Sequence, residues 1–93
     1  MIVGFRSKAL RHFAEKGDPS KLPVSGVAID RVADQLQALD VATRAEQMDV
    51  PGWVYHPLKG KPRRYSVRVT ANWRLTFAFD PPDASEVDIE DYH

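Results

Sequence analysis

The sequence predicts an α+β domain in which an N-terminal strand and two helices pack on one face of an antiparallel sheet. Three observations carry this. Apolar residues recur at spacings of three and four in the first half of the chain, and at a spacing of two in the second half. Pro- and Gly-containing clusters separate the two patterns. The chain has 93 residues, of which 43% are hydrophobic and 28% charged, so residues 1–93 are read as one folded domain.

The elements follow in chain order. Ile2, Val3 and Phe5 form a short β-prone run. Ser7 reads as the N-cap of a helix whose Ala9, Leu10, Phe13 and Ala14 share one face, and Gly17 closes it. Asp18 to Pro23 is turn-rich. Ile29, Val32, Ala33, Leu36 and Leu39 then define an amphipathic helix from about Ser25 to about Thr43, with Asp, Arg and Gln mostly between them. Asp49-Val50-Pro51-Gly52 marks a turn, after which Tyr65, Val67 and Val69 alternate with Ser66, Arg68 and Thr70. Ala71 and Asn72 turn the chain. Trp73, Leu75, Phe77 and Phe79 alternate in a second strand, and Val87 and Ile89 in a last one beyond the Asp80-Pro81-Pro82-Asp83 turn.

Composition excludes several function classes. The absence of cysteine removes disulfides, thiolate metal sites and cysteine nucleophiles. No apolar run approaches the roughly 18–20 residues that cross a bilayer, so no membrane partner is expected. Arg6 and Lys8 fall where a signal peptide is apolar, and a cytoplasmic location is the expectation. His12, His56 and His93 lie far apart, no histidine–carboxylate pair has metal-ligand spacing, and there is no Gly-rich phosphate loop. Neither a metal nor a cofactor is expected.

Charge is segregated although the net charge is zero. Residues 1–55 balance seven basic against seven acidic side chains. Residues 56–79 carry Lys59, Lys61, Arg63, Arg64, Arg68 and Arg74 with no carboxylate, and residues 80–93 carry six carboxylates with no Lys or Arg. A polyanion would therefore meet a local cationic patch. The plainer reading is that adjacent strands pair these opposite charges across the sheet. If Val67, Leu75 and Phe77 face the helices, then Arg68, Thr70, Arg74 and Thr76 face away from them, onto an open surface. Two guanidiniums there suit a phosphate, because each planar fork donates two parallel hydrogen bonds. His56 and Lys59, in the segment leading into these strands, add a group that moves protons near neutrality and a group that stabilises anions.

The run His56-Pro-Leu-Lys-Gly-Lys-Pro-Arg-Arg-Tyr-Ser-Val-Arg-Val-Thr-Ala-Asn-Trp-Arg-Leu-Thr-Phe77, with the closing Val87-Asp-Ile-Glu-Asp-Tyr-His93, resembles the HigB-type host-killing toxins of the RelE/ParE superfamily. Phe5 before a short helix, Glu15-Lys16-Gly17 and the Arg31 to Asp40 helix extend the resemblance over essentially the whole chain. It implies a fold of the microbial-ribonuclease kind, and a metal-independent, ribosome-dependent endoribonuclease that cuts mRNA. It also implies a helix-turn-helix antitoxin encoded nearby, through which the complex binds operator DNA. By position, His56, Lys59, Arg74, Tyr92 and His93 match residues implicated in catalysis or RNA contact, and Asn72 matches a supporting one. Some relatives carry an arginine where this chain has Thr70. Arg68, two residues earlier on the same strand face and about 6.6 Å away at ordinary rise, is the candidate substitute. Lys61, Arg63 and Arg64 complete the expected RNA-binding set.

The chemistry these residues suggest is attack by a ribose 2′-hydroxyl on the adjacent phosphate, leaving a 2′,3′-cyclic phosphate. His56 or His93 would take the proton, and the other histidine or Tyr92 would protonate the leaving oxygen. Lys59, Arg68 and Arg74 would stabilise the charge that builds on the phosphorane. Tyr92 could instead stack on a base. Two alternatives share the fold: a ParE-like poison of DNA gyrase with no catalytic residues, and an inactive homologue that only binds its antitoxin.

Overall fold

The computed structural model describes residues 1–92. His93, expected in the site, lies outside the described residues. Two helices, α1 (Lys8–Lys16) and α2 (Val27–Val41), precede four strands, β1 (His56–Pro57), β2 (Arg64–Arg68), β3 (Trp73–Asp80) and β4 (Asp83–Asp91). The strands form one antiparallel sheet in the order β1-β2-β3-β4. Both helices lie on the same face.

Local sequence explains the helix ends. The Ser7 hydroxyl accepts the Leu10 N–H at 3.1 Å, satisfying a donor that the first turn leaves free. Gly17, at φ 71°, returns its N–H to the Phe13 carbonyl, a left-handed cap that a side chain would disfavour. Helix α2 is two residues shorter at each end than the apolar spacing suggests, because Gly26 and Ala42 already have non-helical backbone angles. Leu10, Val32, Leu36 and Leu39 from the helices bury against Val67, Leu75, Phe77 and Val87 from the sheet.

Four features depart from the sequence expectation. First, the N-terminal strand takes the form of two isolated parallel bridges, Ile2 with Ala84 and Phe5 with Val87. β4 carries an irregularity between these points: the β3–β4 register slips between Thr76 and Ala78, and Glu86 adopts φ 48°. Such a bulge bends the strand and interrupts any ladder beside it. Second, Ala45–Met48, a stretch to which the sequence reading assigns no element, form a 3₁₀ turn whose Ala45 and Met48 are buried. Third, His56–Pro57, read as a lead-in, pairs with β2 as an edge strand, the place where a residue without an N–H is tolerated.

Fourth, Gln35 does not lie on the polar face of α2 as expected but is fully buried. Its Nε2 donates to the Arg68 carbonyl at 2.8 Å, tying the helix to the end of β2. A buried amide is tolerated when it is hydrogen-bonded, and this bond supplies that condition for the donor.

Candidate active site on the outer face of the sheet

Residues paired across an antiparallel ladder point to the same side, so the register lays out the outer face row by row. One row is Arg68, Arg74 and Glu90, contributed by β2, β3 and β4. The next is His56, Ser66, Thr76 and Asp88. A third begins with Arg64 opposite Ala78. The alternation read from the sequence thus places Arg68 and Arg74 where expected, directly opposite each other on the face away from the helices.

Tyr92 joins them. Its N–H donates to the Asn72 carbonyl at 2.5 Å, and its ring centroid stands 5.4 Å from the Arg74 guanidinium carbon. A cation over an aromatic face is attracted by the ring quadrupole. Arg74 Nη1 also donates to the Thr70 carbonyl at 3.1 Å. Thr70 is itself a turn former: its hydroxyl accepts the N–H groups of Asn72 and Trp73 at 3.3 and 3.1 Å. Asn72 therefore supports Tyr92 through its backbone, and the threonine fixes the turn on which Arg74 is braced.

The outer face is not bare, as the sequence had suggested, because Ser66 and Thr76 are buried on it. Arg64, expected among the RNA-binding cations, is drawn across it. Its side chain is 15% exposed, and its Nη2 donates to the Thr76 hydroxyl at 2.9 Å and to the Glu86 carbonyl at 3.0 Å. Glu86 Oε2 lies 3.8 Å from Nη1, and Glu90 Oε2 lies 3.9 Å from Nη2. Burial, helped by the nearby Arg6, holds this guanidinium below the ordinary arginine pKa, while Glu90 and Glu86 oppose that shift. Nη1 is buried without a hydrogen-bond acceptor among the described residues.

This network accounts for much of the acidic strand. Glu90 stands opposite Arg74 in register, yet its carboxylate accepts the Thr76 hydroxyl and faces Arg64. Glu86 is shared between Arg64 and Arg6. Asp88 accepts the N–H of Ile89 at 2.9 Å, and Asp91 pairs with Trp73 on the inner face. Cross-strand charge pairing is thus real for Arg64, whereas among the described residues no ion pair engages Arg68 or Arg74. Glu86, Glu90 and Thr76 were not anticipated as site residues. Thr76 was legible only as an outward-facing position, and the two glutamates only as part of a run of carboxylates whose partners depend on the β4 bulge.

The remaining expected residues spread along the sheet. His56 is exposed on edge strand β1, in the row of Ser66. Lys59, Lys61 and Arg63 are exposed in the loop joining β1 to β2, which leaves the sheet at the Arg64 end. The Arg64 and Arg68 levels are four residues apart, about 13 Å at ordinary strand rise. The register therefore groups Arg68, Arg74 and Tyr92 at one end and the loop cations at the other, with His56 between. Among the described residues no group of three or more His, Cys, Asp or Glu side chains is placed to hold a metal ion. No described helix is long and apolar enough to cross a membrane.

Comparison with known proteins places the chain in a family. The model of the HigB-like toxin family, described as the RelE-like toxin of the type II toxin–antitoxin system HigB, matches residues 3–93. Endoribonuclease HigB of Proteus vulgaris is 44% identical to this chain over 94 residues, with 100% of both chains covered.

Proposed function

Because this chain belongs to the HigB-like family of RelE-like toxins of type II toxin–antitoxin systems, we propose that it is the toxin of such a pair and acts as an mRNA endoribonuclease on translating ribosomes, without a metal ion. The observation that carries the reading is the grouping of Arg68, Arg74 and Tyr92 on one sheet face, two guanidiniums outside any described ion pair beside an aromatic ring. The kinship to a protein named an endoribonuclease supports this reading over a gyrase poison and over an inactive homologue.

The mechanism uses this chain's own groups. Arg68 and Arg74 bind the scissile phosphate and stabilise the charge that develops on its oxygens, commonly the largest catalytic contribution. His56 or His93 takes the 2′-hydroxyl proton as that oxygen attacks phosphorus. The P–O5′ bond breaks, and the other histidine or Tyr92 returns a proton to the leaving oxygen, so a 2′,3′-cyclic phosphate and a 5′-hydroxyl result. Lys59, with Lys61, Arg63 and Asn72, lies in segments that flank the path of the strand. Membership of the family makes an antitoxin the partner; a helix-turn-helix antitoxin, carrying the pair to operator DNA, is the form proposed, and the cytoplasm, where translating ribosomes are found, is the proposed location.

Primer extension on translated mRNA tests the reading. Wild type should cut the message only while it is being translated, and His93→Gln should abolish the cuts. Intact mRNA under growth arrest, or double-strand DNA breaks instead, would overturn the proposal.

A further inference from the structure

Around the edge of the sheet from Arg74, a cavity of about 490 Å³ opens between the first turn of α2 and the turn joining β2 to β3. Val27 and Arg31 line it from the helix, and Arg68, Val69 and Thr70 line it from the sheet. Two of its lining residues are arginines, and among the described residues that line it none is acidic. Among the described residues neither Arg31 nor Arg68 forms an ion pair. Among the described residues Arg31 donates through Nη1 to the Gly52 carbonyl at 3.4 Å, near the limit of a hydrogen bond. Two like charges that share one cavity without a counter-charge are relieved by an anion.

The cavity adjoins the candidate active site through Arg68 and Thr70. Thr70, whose carbonyl holds Arg74, is part of its wall. The arginines at 74, 68 and 31 therefore run from the Tyr92 ring, across the end of β2, to α2. The two walls are held together by the buried Gln35, whose amide bonds the Arg68 carbonyl at 2.8 Å. The site thus offers guanidiniums for a phosphate and the exposed aliphatic surface of Val27 for the rest of a nucleotide.

We propose that this cavity is a phosphodiester subsite for the substrate RNA strand, in which Arg31 holds the phosphate next to the scissile one, with Arg68 standing between the two. The proposal rests on the nuclease reading above and adds Arg31 as a binding residue that positions the strand without touching the reacting atoms.

The test is salt-dependent binding of a fluorescent single-stranded RNA, blocked against cleavage by 2′-O-methyl groups, beginning at low ionic strength. Losing one phosphate contact from a single strand lowers the slope of log affinity against log salt by about 0.7. Arg31→Gln should lower the slope by that amount and weaken binding roughly tenfold, as expected for one charge-assisted contact. Arg31→Lys should restore the slope. On programmed ribosomes, Arg31→Gln should raise KM more than it lowers kcat.

An unchanged slope and affinity in Arg31→Gln would overturn the subsite. So would a wild type that cuts mRNA on ribosomes yet binds no free RNA. A variant unaffected on free RNA but raised in KM on ribosomes would assign the phosphate to ribosomal RNA, overturning the substrate-strand assignment. A wild type that neither binds RNA nor cuts mRNA would overturn the nuclease reading itself, and the subsite with it.

Discussion

Arg74 is held by two contacts of different kinds, the Thr70 carbonyl and the face of the Tyr92 ring. Both leave guanidinium N–H groups free to donate to a phosphate, since five are available. The ring is what Tyr92 brings to Arg74. Tyr92→Phe keeps it and is expected to cut mRNA within about threefold of wild type, whereas Tyr92→Ala forfeits a contact of about 0.5–2 kcal/mol and should fall roughly tenfold. Single-turnover cleavage on programmed ribosomes measures both. A large loss in Tyr92→Phe would instead identify the phenol as the acid that protonates the leaving oxygen. At this scale the outward pointing of Arg68 and Arg74 was legible, because strand alternation is local. The withdrawal of Arg64 was not. It depends on where Glu86 and Glu90 fall after a bulge in a strand that begins about twenty residues later along the chain.

Among the elements, α1 was legible to its caps, because Ser7 and Gly17 act through bonds to residues three or four positions away. The 3₁₀ turn at Ala45–Met48 and the two-residue strand His56–Pro57 were not. Each is too short to show a period and exists because of packing or pairing with distant chain. The link between the helices carries its own pH signature. Asp18 accepts the Ser20 N–H and pairs with His12 at 2.9 Å, and these interactions hold its pKa at about 2 against an ordinary 3.8. A carboxylate with a depressed folded pKa contributes stability that is fully present above about 3.8 and is lost as pH falls toward 2. Asp18→Asn should therefore lower the melting temperature at pH 5 and above. The gap from wild type should close as the pH is taken down toward 2, and a gap that persists unchanged would show that the pair does not act through ionisation.

For the molecule as a whole, zero net charge is compatible with a cationic working end because the charges do not cancel in place. The β3–β4 hairpin brings the acidic strand beside the basic one, and Glu86 and Glu90 are engaged by Arg64 and Arg6. Arg68 and Arg74, together with Arg31 on α2, stay out of ion pairs among the described residues. The single core beneath the sheet holds this arrangement in place, with Phe77 fully buried at its centre, stacked on Tyr65 and edge-on to Phe79. Phe77→Ala should cost about 3–5 kcal/mol in urea unfolding, a large part of the stability of a domain this size. A cost below about 1 kcal/mol would mean that the core is elsewhere.

If the outer face of the sheet cuts RNA, Arg74 is indispensable to it. The decisive measurement maps the ends of an mRNA translated in a purified system with wild type and with Arg74→Ala, after melting curves have shown the two to be equally folded. Wild type is expected to leave 2′,3′-cyclic phosphate ends, and the variant to cut about 10²–10³-fold more slowly, the usual effect of removing one preorganised donor to a developing oxyanion. Cleavage by a folded Arg74→Ala at the wild-type rate would contradict the claim.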